Sequence, residues 1–317
     1  MSNKEKYRQL CKRESTIPVF SQAWWLDAVA GENWDVAVVD KGEEIQAVMP
    51  YVIKKRYGQT VLTQPSLTQH LGPWLRATKA KYAKSLAREK DLLQALIDQL
   101  PIYTLYAQNW GPNNTNWLPL YWRGFKQTTR YTYRIEKLTD LDEVWAGFQE
   151  NIKTDIRKAK NRFNITVQHD PSLEQFLHIN EKTFLRQGKK LPYGHHLVQR
   201  IDQAAVANNA RKIFIAVDNE GRYHAAAYLI WDRYSAYYLM GGGDPELRNS
   251  GATSFCMWEA INFASTVTEK FDFEGSMIEP IERFFRGFGA IQTPYFQIWH
   301  APSNLIKFAM FLRSLSR

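Results

Sequence analysis

Apolar positions along the 317 residues follow two periods. Short apolar runs bounded by turn residues mark strands, and i, i+3, i+4 spacing marks helices. From Pro18 onward, Phe20, Trp24, Trp25 and Val29 keep helical spacing, with Ser21 as the expected N-cap. Val36-Ala37-Val38-Val39 reads as a strand, Asp40-Lys41-Gly42 as a turn, and Ile45 to Val52 as the returning strand. The same layout recurs as Ile213 to Val217, Asp218-Asn219-Glu220-Gly221, and Tyr223 to Trp231. In each half a further strand follows (60–69 and 235–241), then a helix (79–99 and 251–266), then another strand (102–107 and 270–274). This shared order predicts an α/β fold with mixed sheets in which one unit occurs twice in tandem.

The repeat divides the chain into a flexible charged leader (1–17), an N-terminal domain (18–135) and a C-terminal domain (136–317), with a cleft between the domains. At the seam, Arg134 to Asp140 runs from a strand into a helix starting near Asp140 or Leu141. Trp145, Phe148, Ile152, Ile156 and Ala159 then share one helical face. Lys153, Arg157, Lys158 and Lys160 lie opposite, with Arg162 just beyond. That basic face is either simply solvated or binds an anion beside the cleft. From Ser303, Leu305, Ile306, Phe308, Ala309, Phe311, Leu312 and Leu315 predict a terminal helix packed on the second domain, with a peripheral membrane foot as the alternative.

Net charge is +9 with a pI near 9.3, which favours anionic partners: nucleotide phosphates, tRNA, or a negatively charged membrane face. No apolar run approaches the roughly 20 residues that span a bilayer. The start, Met1-Ser2-Asn3-Lys4-Glu5-Lys6, is too polar for a secretory signal. Cys11 and Cys256 read as reduced thiols rather than a disulfide framework, so the expected compartment is the cytoplasm, with association at the inner face of its membrane allowed by the charge. His195 and His196 are adjacent and the other histidines isolated, so no metal is expected. The serines lack a nucleophile-elbow context, and neither cysteine sits in a catalytic motif.

The densest candidate chemistry is Phe271-Asp272-Phe273-Glu274-Gly275-Ser276, followed by Glu279 and Arg283-Phe284-Phe285-Arg286-Gly287-Phe288-Gly289. On a strand, Asp272 and Glu274 would share one face, where one carboxyl could raise the pKa of the other and make it a usable base. Glu279 would orient an amine, and Arg283 and Arg286 would hold an anionic substrate. The plainer reading is a strand-end carboxylate paired to Arg283 or Arg286. In the first half, Gln69, Trp74, Asn109 and Trp110 lie in loops rich in amides, indoles and Gly-Pro turns. Such loops suit sugar or peptide recognition, or are merely well capped.

These motifs together resemble the Fem-type members of the GNAT acyltransferase superfamily, including the BioF/CelD-like acetyltransferase domain. Asn151 to Ala159 is similar to the family's "N-x-R-x-x-I-R-K-A" segment. Tyr237-Tyr238-Leu239-Met240 leading into Gly241-Gly242-Gly243-Asp244 resembles its glycine-bearing strand exit. Phe271 to Gly275 matches "x-D-F-x-G", Arg283 to Gly289 matches "x-F-K-x-x-F-G", and Leu71-Gly72-Pro73-Trp74 resembles an "R-G-P" turn. Phe285 stands where the family has lysine, with Arg286 next, and Fem ligases that use aminoacyl-tRNA carry that lysine. Arg248-Asn249-Ser250-Gly251-Ala252-Thr253 is similar to the loop "[QR]-x-x-G-x-[GA]" with which GNAT enzymes cradle the coenzyme A pyrophosphate. The resemblance implies two tandem GNAT-like domains over roughly 20–305 and acyl transfer to an amine, with no permanently bound cofactor. It implies acceptor or donor contacts at Arg157, Lys158 and Tyr238, and donor contacts at Gly242, Gly243, Arg248, Gly251 and Ala252. The expected reaction is N-acylation of an envelope or polysaccharide precursor from acyl-CoA. The alternatives are an aminoacyl-tRNA-dependent ligase of the Fem type, and a non-catalytic protein that binds a glycan or another anionic ligand.

Overall fold

The computed structural model describes residues 1–303 except 57, 186, 187, 189, 190 and 276. The expected terminal helix after Ser303 lies outside the described residues. In chain order the elements are α1 (Asn3–Arg13), α2 (Ala23–Ala30), β1 (Trp34–Lys41), β2 (Glu44–Arg56), β3 (Gln59–Thr63), β4 (Trp74–Leu75), α3 (Tyr82–Asp98), β5 (Leu105–Trp110), α4 (Leu118–Tyr121) and β6 (Lys126–Ile135). They continue as α5 (Leu141–Gly147), α6 (Glu150–Asn161), β7 (Thr166–His169), α7 (Leu173–Leu185), α8 (His195–Ala207), β8 (Arg211–Val217), β9 (Tyr223–Trp231) and β10 (Ser235–Gly243). The last are α9 (Ala252–Ala264), β11 (Lys270–Asp272), α10 (Glu279–Gly287) and β12 (Ile291–His300).

Two compact units result: residues 1–130 with the described residues from Pro294, and residues 131–293. In the first unit the sheet order is β1-β2-β3-β5-β12, with β4 added on β2. Among the described strands there, only β3 and β5 are parallel. The β1–β2 turn uses Gly42 at φ 66°, a conformation that costs glycine little. Leu92, Leu93 and Leu96 of α3 form the buried stripe that meets Tyr106, Trp110 and Ile298 of the sheet. In place of the expected flexible leader, α1 is an ordered helix. Ser2 caps it, Tyr7 is fully buried and donates to the Ser21 carbonyl, and Arg8 grips Asp27 with two hydrogen bonds. The ring burial and the bidentate pair outweigh the polar composition. Ser21 is not the cap of α2; it ends a short 3-10 turn, and Gln22 precedes the helix.

In the second unit the order is β6-β11-β10-β9-β8-β7, and among these strands only β10 and β11 are parallel. Both faces of this sheet are covered. Ala225, Ala227 and Leu229 of β9 join the core built with α9, whereas Tyr228 between them meets Phe176 of α7 at 5.5 Å. Double coverage explains why β8 and β9 read as continuous apolar runs rather than alternating ones. The single helix expected from Asp140 is two helices. Asp140 caps α5 through the amides of Asp142 and Glu143, but Phe148 and Gln149 are extended, and the Gln149 amide donates to the Gly287 carbonyl. The apolar face persists across the break, with Phe148, Ile152, Ile156 and Ala159 all buried.

The strand after each parallel pair is the one that departs from the sequence reading. Beside β5 in the first unit stands β12, from the far end of the chain, while Phe271 and Asp272 of β11 pair with Ile135 and Arg134 of β6. Residues from Pro294, assigned by sequence to the second domain, therefore complete the sheet of the first.

Candidate functional site

In the second unit β10 and β11 pair over only three positions, Ser235 to Tyr237 against Lys270 to Asp272. Then β11 stops while β10 runs on to Gly243, bulging between Tyr238 and Met240. The pairing thus ends at the carboxyl ends of two parallel strands, where α/β sheets place their ligands. Tyr238 is half-buried just past the last position paired with β11 and its ring lies across Gly241; a Cβ there would sit 1.8 Å from its hydroxyl. Burial pushes the Tyr238 hydroxyl well up from its ordinary value. Beyond it, the buried Asn180 donates to the Gly241 carbonyl at 2.8 Å and Thr183 accepts from the Gly243 amide at 3.0 Å. Gly242 lets α7 come this close, because a Cβ would meet Thr183 Oγ1 at 2.4 Å.

The acidic pair at the end of β11 is arranged differently from the expected shared strand face. Asp272 is 2% exposed and accepts from the Thr132 hydroxyl, with Arg134 Nε 3.7 Å away on the neighbouring strand. It also accepts from the Glu274 amide at 2.8 Å. Burial pushes its pKa up to about 6, against the pull of the Thr132 hydrogen bond and of Arg134. Glu274 is buried too, but its φ of 59° turns it off the strand. Such a backbone on a glutamate costs about 1 kcal/mol or more and collects at functional sites. Gly275 at φ 56° completes the turn and presses on Tyr131 and Thr132, whose atoms lie 2.3 and 2.6 Å from where a Cβ would stand. Asp272 therefore holds the turn that carries Glu274 off the strand. The cation beside Asp272 is Arg134, whereas the plainer reading paired the carboxylate with Arg283 or Arg286: Arg286 binds Glu282 at 2.8 Å and Arg283 is exposed.

The segment Glu279 to Gly287 is helix α10, so Phe285 and Arg286 are separated by a helical step rather than by strand alternation. Phe285 is buried against Phe273 and Arg286 is exposed. Glu279 is exposed in the first turn of α10. The glycines of this motif serve packing, since a Cβ on Gly289 would stand 2.6 Å from the Gly147 carbonyl oxygen. On α6, Arg157 pairs with Glu150 and Lys158 with Asp155, both at 2.8 Å, so the basic face is largely engaged in local pairs.

The loop from Asp244 to Ser250 leads from β10 into α9. Arg248 is exposed on it, and Gly251 at φ 78° opens the helix. Gly251 is obligatory for a second reason: a Cβ would lie 2.3 Å from the Asp155 carbonyl oxygen of α6. Ala252 is buried, and Thr253, half-buried, flanks Gly243. A loop ending in a helix start, with an exposed arginine, fits a phosphate group by charge and by amide donors.

Sequence reading missed a hydrogen-bonded chain that ends at this loop. Asp218 accepts from His224 Nε2 at 3.0 Å, and His224 Nδ1 meets Ser250 Oγ at 2.9 Å. Burial acts to raise the Asp218 pKa, but the bonds from His224 and Arg222 hold it well below the usual carboxylate range. The order of groups is that of a serine triad. Ser250 is 2% exposed, and its oxygen also accepts the Ala252 amide at 3.3 Å, so no acyl carbon reaches it. No short motif joins positions 218, 224 and 250; only the hairpin and the loop bring them together.

In the first unit the chain itself occupies the place beyond the parallel β3–β5 pair. Gln64 accepts from the Asn109 amide at 2.6 Å, the Leu71 amide donates to the Asn109 carbonyl at 2.7 Å, and Asn109 Nδ2 reaches the Gln69 carbonyl. Trp110 is fully buried with Gly72 packed on its ring, and Trp74 is buried with its indole N–H on Thr16. Those two rings are core surfaces, which corrects their expected role in binding substrate. Gln69 and Asn109 are half-buried at the same place.

Residues 146–276, less than half of the chain, match the family model of the acetyltransferase (GNAT) domain. A comparison with curated proteins gives no match. Among solved structures, FemX aligns over 92% of this chain and 95% of its own at 14% identity, with a TM-score of 0.68. The C-terminal domain of a putative lysylphosphatidylglycerol synthetase from Agrobacterium fabrum aligns over 94% and 92% at 12% identity and 0.57. A tandem GNAT protein from the clavulanic acid biosynthesis pathway aligns over 95% and 96% at 9% identity and 0.51. At such identities the structures establish the fold alone, and the domain match falls within the second unit, beginning at the end of α5. Residues 146–276 are thus similar to the acetyltransferase (GNAT) domain, and the chain has the fold shared by FemX and the tandem GNAT protein.

Proposed function

We propose that the protein transfers an acyl group from acyl-CoA to an amine on a cell-envelope or polysaccharide precursor, and that it works in the cytoplasm. The carrying observation is the buried, left-handed Glu274 beside Asp272, where β11 ends and β10 runs on. The donor's phosphates lie toward Arg248 and the start of α9, and its thioester lies near Tyr238. The acceptor amine attacks the thioester carbonyl: a C–N bond forms, the C–S bond breaks, and the thiolate leaves. Glu274 takes the proton released by the amine, and Asp272 keeps the turn in place. The reaction needs no covalent enzyme intermediate, so catalysis rests on positioning and on that proton acceptor. The envelope acceptor rests on the resemblance to the Fem and BioF/CelD-like motifs. Among the described residues no helix is long and apolar enough to cross a membrane.

The donor is tested by thermal-shift titration, since a ligand of the native state raises the melting temperature. Stabilisation by acetyl-CoA, with none by charged tRNA, is the expected result, and the reverse would sink the acyl-CoA assignment. The acceptor is tested by intact-mass detection of an acylated amine after incubation with acetyl-CoA and aminated envelope precursors.

A further inference from the structure

The loop from Asp244 to Ser250 is fastened at both ends to one residue. At its start the Asp244 amide donates to the His224 carbonyl at 2.9 Å, and at its end Ser250 Oγ meets His224 Nδ1. His224 is 3% exposed, and its other ring nitrogen is bound by Asp218, which also accepts the amides of Glu220 and Arg222 and the Arg222 guanidinium. The carboxylate therefore fixes the imidazole, and the imidazole fixes the loop. A further tie runs from Lys182 to Asp244 Oδ2 at 2.6 Å. Because Ser250 Oγ takes the Ala252 amide, the same chain orients the first amides of α9. A preorganised loop pays little ordering entropy when a ligand arrives.

We propose that His224, held by Asp218, is a positioning residue of the donor site. It clasps the loop between β10 and α9 so that the loop and the helix start present their donors to the pyrophosphate of the acyl donor. This rests on the acyl-CoA reading above. His224 does not touch the donor; it acts through Ser250 and Asp244. The consequence is selective. Loss of the clasp weakens the part of the ligand that carries phosphate and leaves the pantetheine arm, which would lie along β10, unaffected.

The test measures calorimetric affinity of the full chain for coenzyme A and, separately, for pantetheine. Variants are Ser250→Ala and Asp218→Asn, small changes chosen to preserve folding, with His224→Ala as a third. The expected result is a coenzyme A Kd raised about tenfold in Ser250→Ala and Asp218→Asn while the pantetheine Kd stays within twofold. Equal weakening of both ligands means general loss of structure and overturns the clasp, as does an unchanged coenzyme A Kd. Failure of the wild-type chain to bind coenzyme A would instead overturn the donor reading and the clasp with it.

Discussion

At the scale of single residues, the decisive facts are burial and backbone hand. Asp272 and Glu274 were legible in the sequence as acids at a strand end, but alternation placed them on one face. The chain turns left-handed at Glu274, and the pair is linked through an amide instead. Glutamate in that conformation is unfavourable, so Glu274→Gly should raise the melting temperature by a few degrees, reflecting about 1 kcal/mol, while abolishing transfer. A variant that is both stable and active would remove Glu274 from the chemistry. For Asp272 the folded chain holds the carboxyl proton more tightly than the unfolded chain does, about 6 against about 4. Its favourable contribution to stability is complete below about pH 4 and is lost as pH rises through about 6. Relative to Asp272→Asn, the wild type should lose on the order of 2 kcal/mol between pH 4 and pH 7. Denaturant melts of the two proteins across that range check this; parallel pH profiles would contradict it.

At the scale of elements, the glycines that read as a family signature act mainly by letting elements approach. Gly42 has φ 66° and nothing within 4 Å of where a methyl would stand, whereas Gly251 has φ 78° and a backbone carbonyl at 2.3 Å. Gly42→Ala should cost about 1 kcal/mol, the backbone term alone. Gly251→Ala should cost distinctly more, about 3 kcal/mol, because α6 must also move. Urea denaturation of both variants measures the difference, and equal costs would mean that α6 does not press on the start of α9. Helix and strand order followed from periodicity, as in β1–β2 and β8–β9. The break at Phe148 did not, because it is imposed by the Gln149 bond to Gly287, far along the chain. Likewise the chain Asp218–His224–Ser250 joins three elements and leaves no local spacing to read.

At the scale of the whole molecule, two copies of one α/β unit differ in what lies beyond the parallel pair. In the first, Gln64, Leu71 and Asn109 bridge that place with the chain's own amides; in the second, β11 gives way to the turn at Glu274 and β10 runs on to the Asp244 loop. Each unit also needs a strand that follows the other unit's parallel pair. A fragment ending at residue 130 lacks β12, which leaves the β5 edge from Tyr106 to Trp110 unpaired on that side. Such an edge invites association, so the fragment should aggregate, and co-expression with residues 131–317 should recover soluble material. Monomeric, cooperatively folding 1–130 would contradict this strand assignment. The sequence alone determined the class of fold, the tandem repeat and the neighbourhood of the acids, because these follow from periodicity and from motifs only a few residues long. Tertiary structure decided which indoles are core, how the chain turns at Glu274 and what fastens the loop from Asp244 to Ser250. Those outcomes depend on burial and on hydrogen bonds between residues distant in the chain, and such contacts have no local pattern.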